Sequence, residues 1–288
     1  MANTITLKRR IGSVKNTKQI TKAMELVAAS KMRRAQEYAS TGRIYREAAY
    51  SLLTRLSMIT EVNEHPLFVK RTVKTRLYIA ITSNRGLAGA YNSNILRLLT
   101  KSVLEDRQSG VKTQVIAVGK QAAQFSRRLE GVDLLAAYES FGDHPTANDV
   151  RPLLNTVAEL YVNKEVDDVQ LLYTDFKTNI LQIATKLSLL PARFEETEGV
   201  SSLLNVTFEP SISAVLDNVT IRLLEVQLWQ ALLESIASEH SMRMLAMKSA
   251  TDNASDLIDD LTLAFNTARQ GAITQELAEI TGGAEAMK

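Results

Sequence analysis

The position of its prolines is the feature that most constrains how this 288-residue chain folds. All five prolines lie between residues 66 and 210, and neither 1–65 nor 211–288 contains one. Proline in a helix interior removes a backbone donor and clashes with the preceding turn, so long proline-free segments permit uninterrupted helices. The distribution therefore predicts two long helical ends around a middle of different construction.

The C-terminal segment carries the repeat of a coiled coil. Steps of three and four residues link a series of mostly apolar positions. They are Leu216, Val219, Leu223, Val226, Gln230, Leu233, Ala237, His240, Met244, Met247, Thr251, Ala254, Ile258, Leu261, Phe265, Ala268, Ala272, Gln275 and Glu279. A repeat averaging 3.5 residues over about nine heptads is typical of a left-handed coiled-coil seam, and a helix over 211–281 is roughly 105 Å long.

The N-terminal segment predicts a second, shorter helix that pairs with the first. One face holds Leu7, Ile11, Val14, Met24, Ala28, Met32, Ala35 and Tyr38. Lys18 and Thr21 interrupt this face. Because the two helices join the middle by opposite ends, they must run antiparallel, and facing residue numbers sum to about 271. The length difference leaves about 16 C-terminal residues, roughly 24 Å, beyond the partner helix.

The two ends also differ in charge. Residues 1–60 carry a net +9, residues 61–210 a net −1 and residues 211–288 a net −6, which leaves +2 for the whole chain. Opposite charges favour the pairing of the two helices. On the predicted register the acidic stripe Asp252, Asp256 and Asp260 faces Lys18, Lys15 and the cluster Lys8 to Arg10. A solvated acidic face is preferred over a cation site, because a straight stripe does not wrap ligands around one ion.

The middle of the chain predicts an α/β domain. Strands are expected over 73–83, 114–118, 132–138, 169–176 and 180–190, with helices over 93–106, 120–129 and 147–162. Alternation of this kind favours a mostly parallel, Rossmann-like sheet, and the last two strands are close enough for an antiparallel hairpin. The predicted divisions are an N-terminal helix over 1–60, the α/β domain over 70–205 and a C-terminal helix over 210–288.

The loop Ser83 to Asn92, SNRGLAGAYN, is the candidate for chemistry in the middle domain. A glycine turn between a strand and a helix can cradle a phosphate, which keeps open an α/β nucleotide-binding enzyme with a helical stalk. The loop contains only Gly86-x-x-Gly89, which is neither a dinucleotide fingerprint nor a P-loop. A tight structural turn is the preferred interpretation.

Composition excludes several other classes. The chain has no cysteine and three scattered histidines, so no disulfide framework, thiol nucleophile or metal cluster is expected. No segment is apolar enough for a membrane span, and the first residues lack the apolar stretch of a signal peptide. Nucleic-acid binding by the basic N-terminal helix is disfavoured, because that helix has few aromatic residues and its charge is matched by the acidic helix.

Four segments resemble the gamma subunit of the rotary, F-type ATP synthase. They are NTKQITKAMELVAASKMRRAQ (residues 16–36), TSNRGLAGAYN (82–92), RMLAMKSATDNA (243–254) and ARQGAITQELAEITGGAEA (268–286). The resemblance implies a non-catalytic central rotor shaft without cofactors, which couples ion-driven rotation to ATP synthesis. Its implied partners are the alpha and beta subunits, the epsilon subunit and the membrane c-ring, on the cytoplasmic face of a bacterial plasma membrane.

The resemblance also implies which residues meet the ring of alpha and beta subunits. Polar contacts are expected from Arg243, Arg269, Gln270, Thr274 and Glu276, and apolar contacts from Ile273, Leu277 and Ile280. Lys22, Arg33 and Arg34 are expected to face acidic loops of the catalytic subunits. The alternative for each charged residue is an ordinary exposed helix position. Ala88 stands where many members have Cys, and a chain without Cys excludes thiol regulation.

Overall fold

A computed structural model describes residues 2–56, 66–139, 141–142, 145–192 and 212–285. The chain forms two compact units, Met1–Ala28 with Arg243–Lys288, called here the coil unit, and Ala29–Met242, called the sheet unit. Helix α1 spans Ala2–Leu56 and helix α5 spans Ile212–Glu285. The helix-dominated α/β class is confirmed, while the divisions near residues 60 and 210 stay a prediction.

The sheet unit contains one five-stranded sheet. Its elements are β1 (Thr75–Ile81), α2 (Tyr91–Gln108), β2 (Lys112–Val118), α3 (Lys120–Ser126), β3 (Val132–Tyr138), α4 (Ala147–Val162), β4 (Asp168–Phe176) and β5 (Gln182–Leu190). The strand order is β3-β2-β1-β4-β5, with β4 and β5 antiparallel and the other pairs parallel. The mostly parallel sheet with a closing hairpin is confirmed, and the element boundaries differ by a few residues.

Strand β1 is the middle strand of the sheet, and both of its faces are covered. Leu77, Ile79 and Ile81 belong to a core that includes residues of α4 and α5. Tyr78 and Ala80 belong to a second core with residues of α2 and α3. A parallel strand buried on both faces reads as a continuous apolar run, which is why this segment was visible in the sequence.

Inside the sheet unit, α5 is buried almost all round. Leu224, Leu228 and Leu232 lie off the predicted coiled-coil seam, yet they are buried in the same core as the sheet. The Ser235 hydroxyl accepts from the backbone N–H of Thr174 at 3.1 Å, and α5 therefore contacts β4 directly. The predicted seam positions Leu223, Val226, Leu233 and Ala237 are buried as well, so the burial here extends well beyond the narrow stripe of a two-helix seam. The side chain of Leu216 lies outside those described.

A buried polar network at one end of the sheet was not predicted. Arg76 forms ion pairs with Asp106 and with Asp168, the latter at 2.5 Å. The Tyr78 hydroxyl donates to Asp106 at 2.9 Å. Burial, followed by this hydrogen bond to a carboxylate, raises the pKa of Tyr78 well above its ordinary value. The network satisfies charges that would otherwise be costly to bury.

The raised pKa of Tyr78 predicts a loss of stability in alkali. The phenol stays neutral in the native state and ionises in the unfolded state, so its contribution is fully present below about pH 10 and is lost as the pH rises further. We expect the unfolding free energy of the native chain to fall more steeply than that of Tyr78→Phe, by up to about 1.4 kcal/mol per pH unit. Urea unfolding from about pH 8 to about pH 11 measures the difference, and parallel curves would contradict it.

Gly119 joins β2 to α3 in a conformation that requires glycine. Its φ is +93°, and a Cβ there would lie 2.2 Å from the carbonyl oxygen of Thr82. Its N–H donates to the carbonyl of Tyr138 at 2.9 Å, so the backbone has a partner on the neighbouring strand. Gly110 also has a positive φ of +69°, but nothing lies within 4 Å of its added Cβ. Comparing substitutions at the two glycines therefore distinguishes the cost of backbone strain from the cost of a steric clash.

Gly110→Ala should cost about 1–2 kcal/mol through φ alone. Gly119→Ala should cost at least about 3 kcal/mol, because the clash with Thr82 adds to the same strain. Urea denaturation of the two variants and the parent chain measures both values. Equal losses at the two positions would show that the contact with Thr82 is relieved cheaply.

Candidate functional site

The coil unit buries the seam that the sequence predicts. On α5 its buried or half-buried members are Met244, Met247, Thr251, Ala254, Ile258, Leu261, Phe265, Ala268 and Ala272. Nearly all other side chains between 248 and 272 are exposed. The three-and-four stepping pattern is therefore confirmed for this part of α5.

The matching face of α1 includes residues that the sequence treated as interruptions. Lys18 is half-buried and Thr21 is buried, in line with Val14 and Ala28. Tyr38, predicted on this face, is 49% exposed and that prediction is wrong. Tyr38 follows Met32 by two successive steps of three residues, so its side chain points about 120° away from that of Met32 around the helix axis. Alternating steps of three and four residues nearly cancel this rotation and keep side chains on one face.

A hydrogen bond between two buried threonines fixes the register of the coil. The Thr251 hydroxyl donates to Thr21 Oγ1 at 2.8 Å. These residue numbers sum to 272, so the predicted sum of about 271 is confirmed to within one residue. The same sum aligns Val14 with Ile258, and Leu7 with Phe265, all of them half-buried.

Beyond Ala272 the described part of α5 has no covered face. Every residue from 273 to 284 is exposed, including Ile273 at 50%, Leu277 at 59% and Ile280 at 68%. On the observed register, positions beyond 270 have no counterpart in α1, which begins at Ala2. Gln275 and Glu279 were predicted on the seam, and they are exposed because the partner helix has ended. We call residues 273–284 the tip.

Some of the predicted contact residues lie close together near the tip, and others lie far from it along the coil. Arg269, Gln270, Thr274 and Glu276 are exposed on successive turns with the three apolar tip residues. Lys22 is exposed beside Thr21 and pairs with Glu25 at 3.0 Å, at the level of Thr251. It therefore lies about 27 Å along the coil from Arg269.

The remaining predicted contacts are divided between the two units. Arg243 is half-buried at the start of the coil part of α5. Arg33 and Arg34 are exposed and belong to the sheet unit.

The charged stripes of the coil do not pair directly. Asp252, Asp256 and Asp260 are exposed, and among the described side chains no ion pair joins them to the basic residues of α1. Within the same described residues, no group of three His, Cys, Asp or Glu could hold a metal ion. The solvated acidic face fits these observations. The opposite charges that were predicted to face one another form no ion pairs among the described side chains.

The polar side chains of the glycine loop form hydrogen bonds within the loop and to the start of α3. Asn92 Oδ1 accepts from the Ser83 backbone N–H at 3.0 Å, and Asn92 Nδ2 donates to Ser83 Oγ at 2.8 Å. Asn84 Oδ1 accepts from the Lys120 backbone N–H at 2.9 Å, which ties the loop to the start of α3. Ala88 is buried. These bonds fit the tight structural turn, and the side chain of Asn92, which the sequence did not single out, closes it.

The geometry defines a class of protein with a long two-helix coil and a Rossmann-like sheet unit. A family model described as ATP synthase matches residues 3–287. The ATP synthase gamma chains of Acidithiobacillus ferrooxidans and Pelotomaculum thermopropionicum are both 42% identical to the chain, and the matches cover 100% and 98% of each sequence respectively. The chain belongs to the ATP synthase gamma-chain family.

Solved structures agree with this assignment. A chain of the central stalk and c-ring of Tetrahymena thermophila mitochondrial ATP synthase is 26% identical with a TM-score of 0.64, covering 80% of this chain and 99% of that one. A chain of the Euglena gracilis enzyme has the same fold, with a TM-score of 0.68 at 20% identity over 99% and 95% of the two chains. The function is that of the central rotor shaft of ATP synthase, which couples ion-driven rotation to conformational change at the catalytic sites.

In the described part of the chain, none of the helices has the length and apolar character needed to cross a membrane.

The exposure of the tip predicts that its apolar residues contribute little to folding. Replacing Ile273, Leu277 and Ile280 one at a time by Ser should change the unfolding free energy by no more than about 0.5 kcal/mol. Ile258→Ser, on the half-buried seam, should cost about 1–3 kcal/mol. Urea unfolding of the full chain, followed by far-UV circular dichroism, measures both. Equal losses at tip and seam would mean that the tip is covered within the chain.

Proposed function

We propose that the tip acts inside the ring of alpha and beta subunits, where it provides the contact that α1 does not. Twelve consecutive exposed residues that include Ile273, Leu277 and Ile280 support this proposal. Aliphatic side chains spaced by three and four residues form one stripe on a helix, and such a stripe left in water marks a contact surface. The tip therefore fits an apolar sleeve formed by partner subunits.

The proposed mechanism needs no group that touches the nucleotide. A single shaft inside a threefold ring contacts its three catalytic sites differently, so each rotation angle favours a different conformation at each site. A partner shifts an equilibrium only through its differential affinity for the two states, and a shift from 1:99 to 99:1 takes about 5.5 kcal/mol. The chain is thus the non-catalytic member of the enzyme complex, and it requires no cofactor of its own.

The polar residues next to the tip supply the angular preference in this proposal. Arg269, Gln270, Thr274 and Glu276 are exposed on the same turns as the apolar stripe, so they reach the sleeve together with it. Arg243, Lys22, Arg33 and Arg34 meet the ring at other positions. Lys22, Arg33 and Arg34 suit acidic loops of the catalytic subunits, because charge complementarity sets register and orientation at an interface.

The remaining partners follow from the rotor function. We assign the epsilon subunit and the membrane c-ring to surfaces of the sheet unit, because the alpha and beta subunits occupy the tip. The 42% identity to bacterial gamma chains supports a peripheral location on the cytoplasmic face of a bacterial plasma membrane.

Charge reversal at Arg269, next to the tip, tests the proposal in the assembled enzyme. Arg269→Glu should leave the complex intact, so that alpha, beta and epsilon subunits co-purify with the chain from membranes washed at low ionic strength. Coupled ATP synthesis should fall about tenfold or more, equivalent to about 1.4 kcal/mol of lost bias. The matched control is Arg269→Lys, which keeps the positive charge at the same exposed position.

Two measurements decide the outcome. ATP synthesis by resealed membranes reports coupling, and the subunit composition of the purified complex reports assembly. Unchanged synthesis in Arg269→Glu, or an equal loss in Arg269→Lys, would contradict a contact between the positive charge of this turn and the ring.

A further inference from the structure

We infer that Thr21 and Thr251 are positioning residues that lock the axial register of the coil. Thr21 is 9% exposed and Thr251 is 7% exposed, so both lie in the seam between the helices. Their oxygens are 2.8 Å apart. The register they fix determines which turn of α5 is the last to be covered by α1, and therefore where the tip begins.

The hydroxyl pair is fully satisfied within the coil unit. Thr251 Oγ1 also lies 2.8 Å from the carbonyl oxygen of Met247, and Thr21 Oγ1 lies 3.0 Å from that of Lys18. Each hydroxyl has one hydrogen and two acceptor lone pairs. One threonine therefore donates across the interface while the other donates to a carbonyl of its own helix, and either direction uses both hydrogens.

The apolar part of the seam specifies the register only weakly. A relative slip of one heptad brings Leu, Ile, Val, Met and Ala opposite one another again, because the seam repeats every seven residues. The polar layer is different. In one slipped register Thr21 faces Met244 and Thr251 faces Val14, and in the other they face Ile258 and Ala28. Both slips break the bond between the helices and place hydroxyls against aliphatic side chains.

A polar layer in an apolar seam is a known means of choosing one register at some cost in stability. Here the layer has one hydroxyl on each helix, so only one alignment brings the two together. A slip of one heptad displaces the helices by roughly 10 Å. Under the proposed rotor function, that displacement would move Arg269 and the tip residues relative to the ring.

Cysteine cross-linking reads the register directly, because the natural chain contains no cysteine. Ile11→Cys with Leu261→Cys reports the observed register. Ile11→Cys with Ala254→Cys, or with Ala268→Cys, reports a slip of one heptad in either direction. A disulfide requires Cα atoms about 4.4–6.8 Å apart, so a displacement of roughly 10 Å separates the three reporters.

The test compares four versions of the full chain in the purified complex. The double variant Thr21→Val with Thr251→Val keeps the side-chain shape and removes both hydroxyls. Thr21→Ser with Thr251→Ser keeps both hydroxyls. Thr17→Val with Thr262→Val is the matched control, because these exposed threonines bond only to carbonyls of their own helices, Ser13 at 3.1 Å and Ile258 at 2.7 Å.

We expect a slipped cross-link to form about fivefold faster in the valine pair than in the natural chain, the factor that corresponds to a net hydrogen bond of about 1 kcal/mol. The serine pair and the exposed-threonine control should keep the natural rate. The valine pair should also transport fewer ions per ATP hydrolysed.

The register lock would be overturned if the valine pair formed only the cross-link of the observed register. It would also be overturned if the control formed slipped cross-links as fast as the valine pair. Lost transport without a slipped cross-link would overturn it too, while leaving the rotor function standing.

Discussion

The apolar seam between two antiparallel helices is the interaction on which the rest of the coil unit depends. An isolated helix is marginal in water, and most of its stability comes from covering one face. On α5 the seam is covered as far as Ala272 and uncovered from Ile273 onward, because α1 begins at Ala2. The same helix thus changes from a packed element to a contact surface where its partner ends.

The same repeat has a different meaning in the sheet unit. Leu223 and Leu233 keep the seam spacing there, but Leu228 and Leu232, which lie off it, are equally buried. The core around α5 contains residues of the sheet, of α4 and of α1, so nearly every position in that stretch is enclosed. A 3.5-residue repeat identifies positions that a helix must bury, and it does not identify what buries them.

Polar groups inside the molecule supply specificity that apolar contacts lack. Thr21 and Thr251 distinguish one alignment of the coil from its heptad neighbours. In the sheet unit, Arg76 joins Asp106 of α2 to Asp168 of β4, and this arrangement holds a helix end against two strands. The bonds that join separate elements form in only one arrangement of the surroundings, and breaking them costs free energy.

The sequence by itself determined the two long helices, the order of strands and helices, the coil register to within one residue and the exposed end of α5. Those features follow from local rules, namely proline exclusion, apolar spacing and the chain connections that force antiparallel pairing. The four segments that resemble gamma chains were also legible without coordinates. Which residues of that resemblance touch a partner could not be read in the same way, since contact depends on a second surface.

Only the tertiary structure decided that α5 is buried on nearly every side within the sheet unit, that Thr21 belongs to the seam, that Tyr38 leaves it, and that the charged stripes of the coil remain in water. It alone revealed the Arg76 network, whose members are 30 and 92 residues apart in the chain. The physical reason is common to all of these features. Spacing along a helix fixes which side chains share a face, whereas burial and pairing are set by groups distant in sequence that folding brings within a few ångströms.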